Sequence, residues 1–125
     1  MNMNAVGWFD IYFADMERAK AFYEAVFATS LKNISTGDES VEMWAFDPEM
    51  TNYGAGGALT KMEGGTPGPG GTLIYFSCVD CAVEEARVSE NGGQVFRPKF
   101  SIGNFGFISI AQDTEGNVIG LHSMK

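Results

Sequence analysis

One histidine, two cysteines and eight basic residues are the scarcities of this 125-residue chain, and each narrows what it can do. A lone histidine, His122, with no ligating neighbours argues against zinc hydrolysis, which needs three or four converging donors. The cysteines fall at Cys78 and Cys81, a redox-motif spacing, but without the surrounding pattern of a thioredoxin unit they read as two ordinary thiols. Sixteen acidic residues outweigh the eight basic ones, for a net charge of −8. Such a surface repels phosphate backbones, so no nucleic-acid partner is expected and the acidity serves solubility. No apolar run approaches the roughly 20 residues of a membrane span, so no membrane partner is expected either. The opening Met1-Asn2-Met3-Asn4 has neither a basic nor an apolar region, so no secretory signal is expected and a cytoplasmic location is the default. The glycine-rich segments contain no Gly-x-x-x-x-Gly-Lys-Ser/Thr and no Gly-x-Gly-x-x-Gly after a strand, leaving nucleotide binding without support.

Aromatics, by contrast, are plentiful: ten Phe, four Tyr and two Trp, enough to fill a core or to wall a pocket for a flat or apolar ligand. The length suits one compact domain or two half-modules sharing a core. Residues 6–13 alternate as a strand, with Trp8, Asp10 and Tyr12 on one face and Phe9, Ile11 and Phe13 on the other. The second face is apolar and predicts packing against helices. The first mixes two aromatics with a carboxylate, a composition suited to a cavity. Asp15 then caps a helix whose Met16, Ala19, Phe22, Tyr23, Val26 and Phe27 recur at helical spacing, with Glu17, Lys20 and Glu24 opposite.

Short strands follow at Leu31–Thr36 and Val41–Phe46 around the turn Gly37-Asp38-Glu39. A glycine-rich strand spans roughly Tyr53–Lys61, where little side-chain bulk lets a ligand or another backbone approach. Residues 62–71 read as an exposed connector between two modules, about 5–61 and 72–125. Past it come a strand at Thr72–Val79, a helix capped by Asp80 with Val83, Ala86 and Arg87 on one face, and the stop Asn91-Gly92-Gly93. A short strand Gln94–Arg97 is ended by Pro98, and Phe105–Gln112 with Asn117–Ser123 form a hairpin around Asp113-Thr114-Glu115-Gly116. Both halves thus read strand, helix, then up to three strands, with Asp15 and Asp80 in the same capping place. Eight strands with two helices make a duplicated α+β fold.

Four stretches carry a family resemblance: Trp8-Phe9-Asp10-Ile11, Asp15 through Tyr23, Asn91-Gly92-Gly93, and Asp113 through His122. In this order and spacing the chain resembles the vicinal oxygen chelate superfamily, which includes glyoxalase I, bleomycin-resistance proteins and extradiol dioxygenases. The resemblance implies paired βαβββ modules curling around an open cavity within a single domain, often in a homodimer. It also implies a divalent metal on His, Glu or Gln, two from the first strand of each module and two from later strands. Here the first-strand place before Asp15 holds Trp8, and its counterpart before Asp80 falls at Ile74, or at Leu73 or Tyr75 with a one-residue shift. The last-strand place holds Gly120, and the remaining one lies within Gly54–Leu59. Indole donates only, and Ile, Gly and Ala offer no side-chain ligand, so no metal and no other cofactor is expected.

The candidate site residues follow. Asp10, in an aromatic setting, is a candidate base. His122, sharing a face with Gly120 and Val118, is a candidate acid/base or hydrogen-bond donor. Trp8 and Trp44, with Phe76 or Phe105, are expected as cavity walls, and Glu42 as a further polar group beside Trp44. The leading expectation is a metal-free, small-molecule-binding protein for an apolar or planar organic ligand. The alternative is a glyoxalase-I-like lyase or isomerase acting on a carbonyl compound, either with a divalent metal on ligands other than those placed above or with Asp10 and His122 as a metal-free acid/base pair. A third is an interaction domain whose cavity is filled.

Overall fold

The computed structural model describes residues 3–35 and 37–125. Its elements run β1 (Val6–Tyr12), α1 (Met16–Phe27), β2 (Lys32–Asn33), β3 (Val41–Ala45), β4 (Gly56–Met62), β5 (Thr72–Ser77), α2 (Cys81–Glu90), β6 (Gln94–Ser101), β7 (Phe107–Gln112) and β8 (Val118–Ser123). Strand, helix and three strands therefore occur twice, the expected α+β plan. No helix among the described residues is long and apolar enough to cross a membrane. The chain divides into two compact units, one of Trp8–Thr72 and one joining residues 3–7 to Leu73–Lys125.

In the Trp8–Thr72 unit β4 is the centre, pairing β1 in parallel and β3 antiparallel, with β2 beyond β3. Directly paired residues share a face. Trp8↔Gly56, Asp10↔Ala58 and Tyr12↔Thr60 therefore define one face, continued by Ala45 opposite Ala58 and Met43 opposite Thr60. Phe9↔Gly57, Ile11↔Leu59 and Trp44↔Leu59 define the other. The second face carries the core: Met16, Ala19, Leu31 and Leu59 are buried, with Phe13, Tyr23, Trp44 and Phe46 packed on them. Tyr23 anchors this cluster, meeting Phe13 edge-on at 5.7 Å and Phe46 at 6.2 Å and stacking on Phe27 at 6.0 Å. Each such pair adds about 0.5–1.5 kcal/mol beyond burial.

Helix α1 begins as its sequence dictates, the Asp15 carboxylate accepting from the Arg18 amide. Its inward stripe is narrower than expected. Met16, Ala19 and Tyr23 face in, whereas Phe22, Val26 and Phe27 are exposed. The face expected to be solvated is partly used: the Lys20 ammonium lies 3.4 Å from the Trp44 ring centroid, and the Glu24 carboxylate accepts from the Leu31 amide. The helix ends at Ala28, in the left-handed region at φ 50°.

In the second unit β8 pairs β5 in parallel and β7 antiparallel, and β6 flanks β7. The core contains Cys78, Cys81 and Leu121 with Phe76 and Phe107 against them. Asp80 caps α2 through the Ala82 amide and also pairs with the Lys99 ammonium at 2.8 Å. The inward residues of α2 are Cys81, Glu84, Glu85 and Val88, so the expected face of Val83, Ala86 and Arg87 points outward instead. The inward set recurs at i, i+3, i+4 and i+7, and two carboxylates among its members hid it from a hydrophobicity count.

Several boundaries move for identifiable reasons. Strand β6 runs through Pro98 to Ser101, because register shifts between Arg97 and Phe100 accommodate a residue with no amide to donate. Of the expected Leu31–Thr36 strand only Lys32–Asn33 pairs, and Thr36 lies outside the described residues. The glycine-rich strand starts at Gly56, since residues 47–52 are knotted around Asp47, whose carboxylate accepts from the Glu49, Thr51 and Asn52 amides and the Thr51 and Asn52 side chains. Residues 62–71, expected as a plain connector, fold back on β1. The Gly71 carbonyl accepts from the Tyr12 amide at 2.9 Å, and the Tyr12 ring covers Gly65. Phe105 leaves its expected strand for a 3-10 turn at Gly103–Phe105.

Candidate functional site

The Trp8 face of the first unit holds a buried polar constellation around Asp10. Strand alternation puts Trp8 and Asp10 two residues apart on one side, so the indole N–H reaches the neighbouring carboxylate and donates to Asp10 Oδ1 at 3.0 Å. Thr60 Oγ1, from β4, donates to the same oxygen at 3.4 Å. Asp10 is 6% exposed and Thr60 1%. Burying a carboxylate without donors would cost several kcal/mol, so this one is held by its partners. Next along the strand, burial and then the negative charge of Asp10 push the Tyr12 phenol up to about 12. It therefore stays protonated at neutral pH, a hydrogen-bond donor.

Small residues make this face possible. The Trp8 ring and the Met50 thioether occupy the space a side chain at Gly56 would need. Ala58 and Ala45, both fully buried, keep the floor beneath Asp10 low.

Glu42 and Trp44 repeat the pairing of Trp8 with Asp10, the Trp44 indole donating to Glu42 Oε2 at 2.9 Å. Their register puts them on the opposite, helix-packed face. Trp44 and Trp8 therefore do not wall one cavity, contrary to the sequence expectation; a one-residue difference in strand phase reverses every side chain. Glu42 instead borders a surface groove of about 410 Å³ with Phe13, Lys61 and Met62.

In the second unit Tyr75 pairs with Gly120 and Ser77 with His122. The Tyr75 ring lies over Gly120 in the space its side chain would fill. His122 is half-buried, and its Nε2 lies 2.6 Å from the Phe105 carbonyl oxygen. A carbonyl only accepts, so Nε2 is the donor of this hydrogen bond. Phe105 thus meets His122 through its backbone, while its side chain is exposed. Phe76, opposite Leu121, belongs to the helix-side core, which removes it as a wall of the Gly120 face.

The family's metal places can be tested against this register. Ile74 shares the helix-side face with Phe76, so the matching place is Leu73, which lies seven residues before Asp80 as Trp8 does before Asp15. Trp8, Leu73, Gly56 and Gly120 supply no oxygen, nitrogen or sulfur ligand, and rings cover both glycines. These residues do not fit a divalent ion. Nor do three His, Cys, Asp or Glu side chains converge anywhere among the described residues.

Sequence reasoning placed Tyr12 on this face without naming it a site residue, and it missed Thr60 and Met50. Thr60 joins the face only through the pairing of β4 with β1, and Met50 reaches it from a loop.

Comparisons with known proteins agree with the fold. The family model described as Glyoxalase/Bleomycin resistance protein/Dioxygenase superfamily matches residues 5–121. The protein "Putative glyoxylase CFP32" of Mycobacterium bovis, like its namesake in Mycobacterium tuberculosis, is 32% identical over 119 residues, 91% of this chain. The chain spans only 43% of the length of these relatives. Among solved structures, a hypothetical protein from Bacillus halodurans superimposes with a TM-score of 0.71 at 11% identity, covering 96% of this chain and 94% of that one. Methylmalonyl-CoA epimerase from Mycobacterium tuberculosis gives 0.70 at 13% identity, covering 100% and 93%. The Streptomyces coelicolor epimerase in complex with 2-nitronate-propionyl-CoA gives 0.67 at 17%, covering 98% of each chain.

Proposed function

The chain belongs to the Glyoxalase/Bleomycin resistance protein/Dioxygenase superfamily, and from that premise we propose that it is a metal-independent small-molecule-binding protein. Its ligand is an apolar or planar organic molecule that lies on the Trp8 face and hydrogen-bonds to the Asp10–Tyr12–Thr60 group. The observation that carries this reading is the buried Asp10 carboxylate, held by Trp8 and Thr60 beside a protonated Tyr12 phenol. Donor and acceptor groups fixed in an aromatic setting give a ligand its orientation, and the flat rings give it its contact area. With sixteen acidic residues against eight basic ones, a neutral ligand is favoured over a polyanionic acyl-CoA of the kind the Streptomyces epimerase holds. Cytoplasmic location and a homodimer belong to the same proposal, the second checked by sedimentation.

Tryptophan quenching across a panel of neutral aromatics, with acetyl-CoA for comparison, tests the reading. Neutral planar compounds should quench wild type and leave Trp8→Phe, which retains Trp44, unresponsive. No response from any aromatic would sink it. Metal analysis of protein purified without chelators tests the second part; one tightly held divalent ion per chain would overturn metal independence.

A second reading is supported by the name of the mycobacterial relatives: a glyoxalase-like lyase or isomerase acting on a carbonyl compound. In that reading Asp10 is the group that removes a proton from the carbon beside the carbonyl. Turnover of the methylglyoxal–glutathione adduct, with and without added Ni²⁺ or Zn²⁺, separates the two. Turnover abolished by Asp10→Asn would favour the enzyme.

A further inference from the structure

The loop at residues 47–55 ends against the Trp8 face, and its geometry is unusual at one residue. Met50 sits in the left-handed region at φ 56°, where an unbranched L-residue is rare. Such strain persists only where the surroundings hold it. Here the Asp47 carboxylate takes five hydrogen bonds from Glu49, Thr51 and Asn52, and the Met50 amide donates to the Asp47 carbonyl at 3.2 Å. The turn so fixed aims the Met50 side chain back over β4. Its thioether fills the space above Gly56, and its ε-methyl and Trp8 Cζ3 each lie 3.0 Å from the point a Gly56 Cβ would occupy. Met50 is nonetheless 46% exposed as a residue, and Tyr53 on the same loop is 94% exposed.

We infer that Met50 is the specificity-determining plug of the Trp8 face, occupying the space over Gly56 that the far end of a larger planar ligand would take. This deepens the small-molecule reading and rests on it. Methionine suits the role because three rotatable bonds and a polarisable sulfur let it pack on an indole and give way at low cost. Only its flexible end meets Gly56, so the plug can swing out without moving β4. It sets an upper size for ligands held at full affinity: compounds that end short of Gly56 bind with Met50 in place, and longer ones must displace it.

The test uses two neutral fluorescent probes of different length, 1-naphthylamine and 1-aminoanthracene, with wild type, Met50→Leu, Met50→Ala and Met50→Ala/Gly56→Ala. Truncation should tighten 1-aminoanthracene about tenfold, the usual worth of a freed apolar subsite, and change 1-naphthylamine little. Leucine should retain the wild-type ratio, and the added Gly56 methyl should cancel the gain by refilling the space. In protein labelled with ¹³C at methionine methyls, the Met50 resonance should be displaced by the Trp8 ring current, and that displacement should disappear in Trp8→Phe. Equal affinities of wild type and Met50→Ala for both probes, with binding still lost in Trp8→Phe, would overturn the plug and leave the small-molecule reading standing. An undisplaced Met50 methyl in wild type would also overturn it. Binding of neither probe to wild type or Met50→Ala would remove both readings together.

Discussion

The two units of this chain follow one plan and diverge at one point. Each opens with a strand whose parallel partner carries a glycine beneath an aromatic ring, Trp8 over Gly56 in one and Tyr75 over Gly120 in the other. Each then caps a helix with aspartate. But Trp8 lies seven residues before its cap and Tyr75 five, so the ring of the second unit stands where the first has Asp10. That two-residue move along one face replaces a carboxylate held by an indole and a threonine with a ring on a glycine. The duplicated scaffold is the same, and the polar group that can orient a ligand lies in one copy.

The cores differ as well, and the largest predicted effect probes them. Leu59, fully buried among Phe13, Tyr23, Trp44 and Phe46, should lose about 2–5 kcal/mol on truncation to alanine, toward the upper end because stiff rings cannot collapse into the hole. Leu121→Ala, in a smaller cluster where the leucine is 5% exposed rather than fully buried, should fall toward the lower end. Urea unfolding measures both, and equal losses would erase the distinction. Asp10→Ala strands the Trp8 N–H and the Thr60 hydroxyl and should cost about 1–3 kcal/mol. The glycines sharpen the comparison further. A methyl at Gly120 meets the rigid Tyr75 ring and should cost about 1–3 kcal/mol, as overpacking does. One at Gly56 chiefly meets the flexible end of Met50 and should cost less than about 1 kcal/mol. Reversal of that order would mean that Met50 is held more firmly than its geometry implies.

A smaller effect comes from the helix ends. Helix α2 gives way to Gly92 at φ 90°, whereas α1 stops at Ala28 at φ 50°, where an L-side chain is disfavoured. Ala28→Gly should stabilise by about 0.5–1 kcal/mol, and Gly92→Ala should destabilise. Thermal melts read both. Smallest is the pH dependence. The hydrogen bond from Lys99, then that from the Ala82 amide, lowers the Asp80 pKa from its ordinary value. This carboxylate's contribution is therefore present above its unfolded value of 3.8 and is lost as pH falls through the depressed folded one. At the other end of the scale burial, then Glu84, pushes the Cys78 thiol from 9.0 up to about 11. Its raised folded value means stability is full below pH 9.0 and declines as pH climbs toward 11. Tyr12 does the same between 10.0 and about 12. The Cys78 unit should therefore lose amide protection at lower alkaline pH, and Cys78 should resist alkylation at neutral pH.

Much of this was legible along the chain. Asp15 and Asp80 announced both helices because a cap is a local bargain between one side chain and nearby amides. The phase of Trp8, Asp10 and Tyr12 followed from strand alternation alone, and so did the duplication. What could not be read was register between strands. Trp44 and Phe76 carry the same aromatic signal as Trp8 and Tyr75, yet pairing with Leu59 and Leu121 turns them to the helix side. Pro98 reads as a stop, but the register shift between Arg97 and Phe100 that spans it lets β6 continue.

By itself, then, the amino-acid sequence determined the repeated βαβββ order and the helix starts, both of which depend on neighbours a few positions apart. Only the tertiary structure decided that Trp44 and Phe76 turn to the helix side, that Thr60 donates to Asp10, and that Met50 comes to rest over Gly56. Each of these joins residues far apart in the chain, and such contacts are chosen by strand pairing and packing rather than by local propensity.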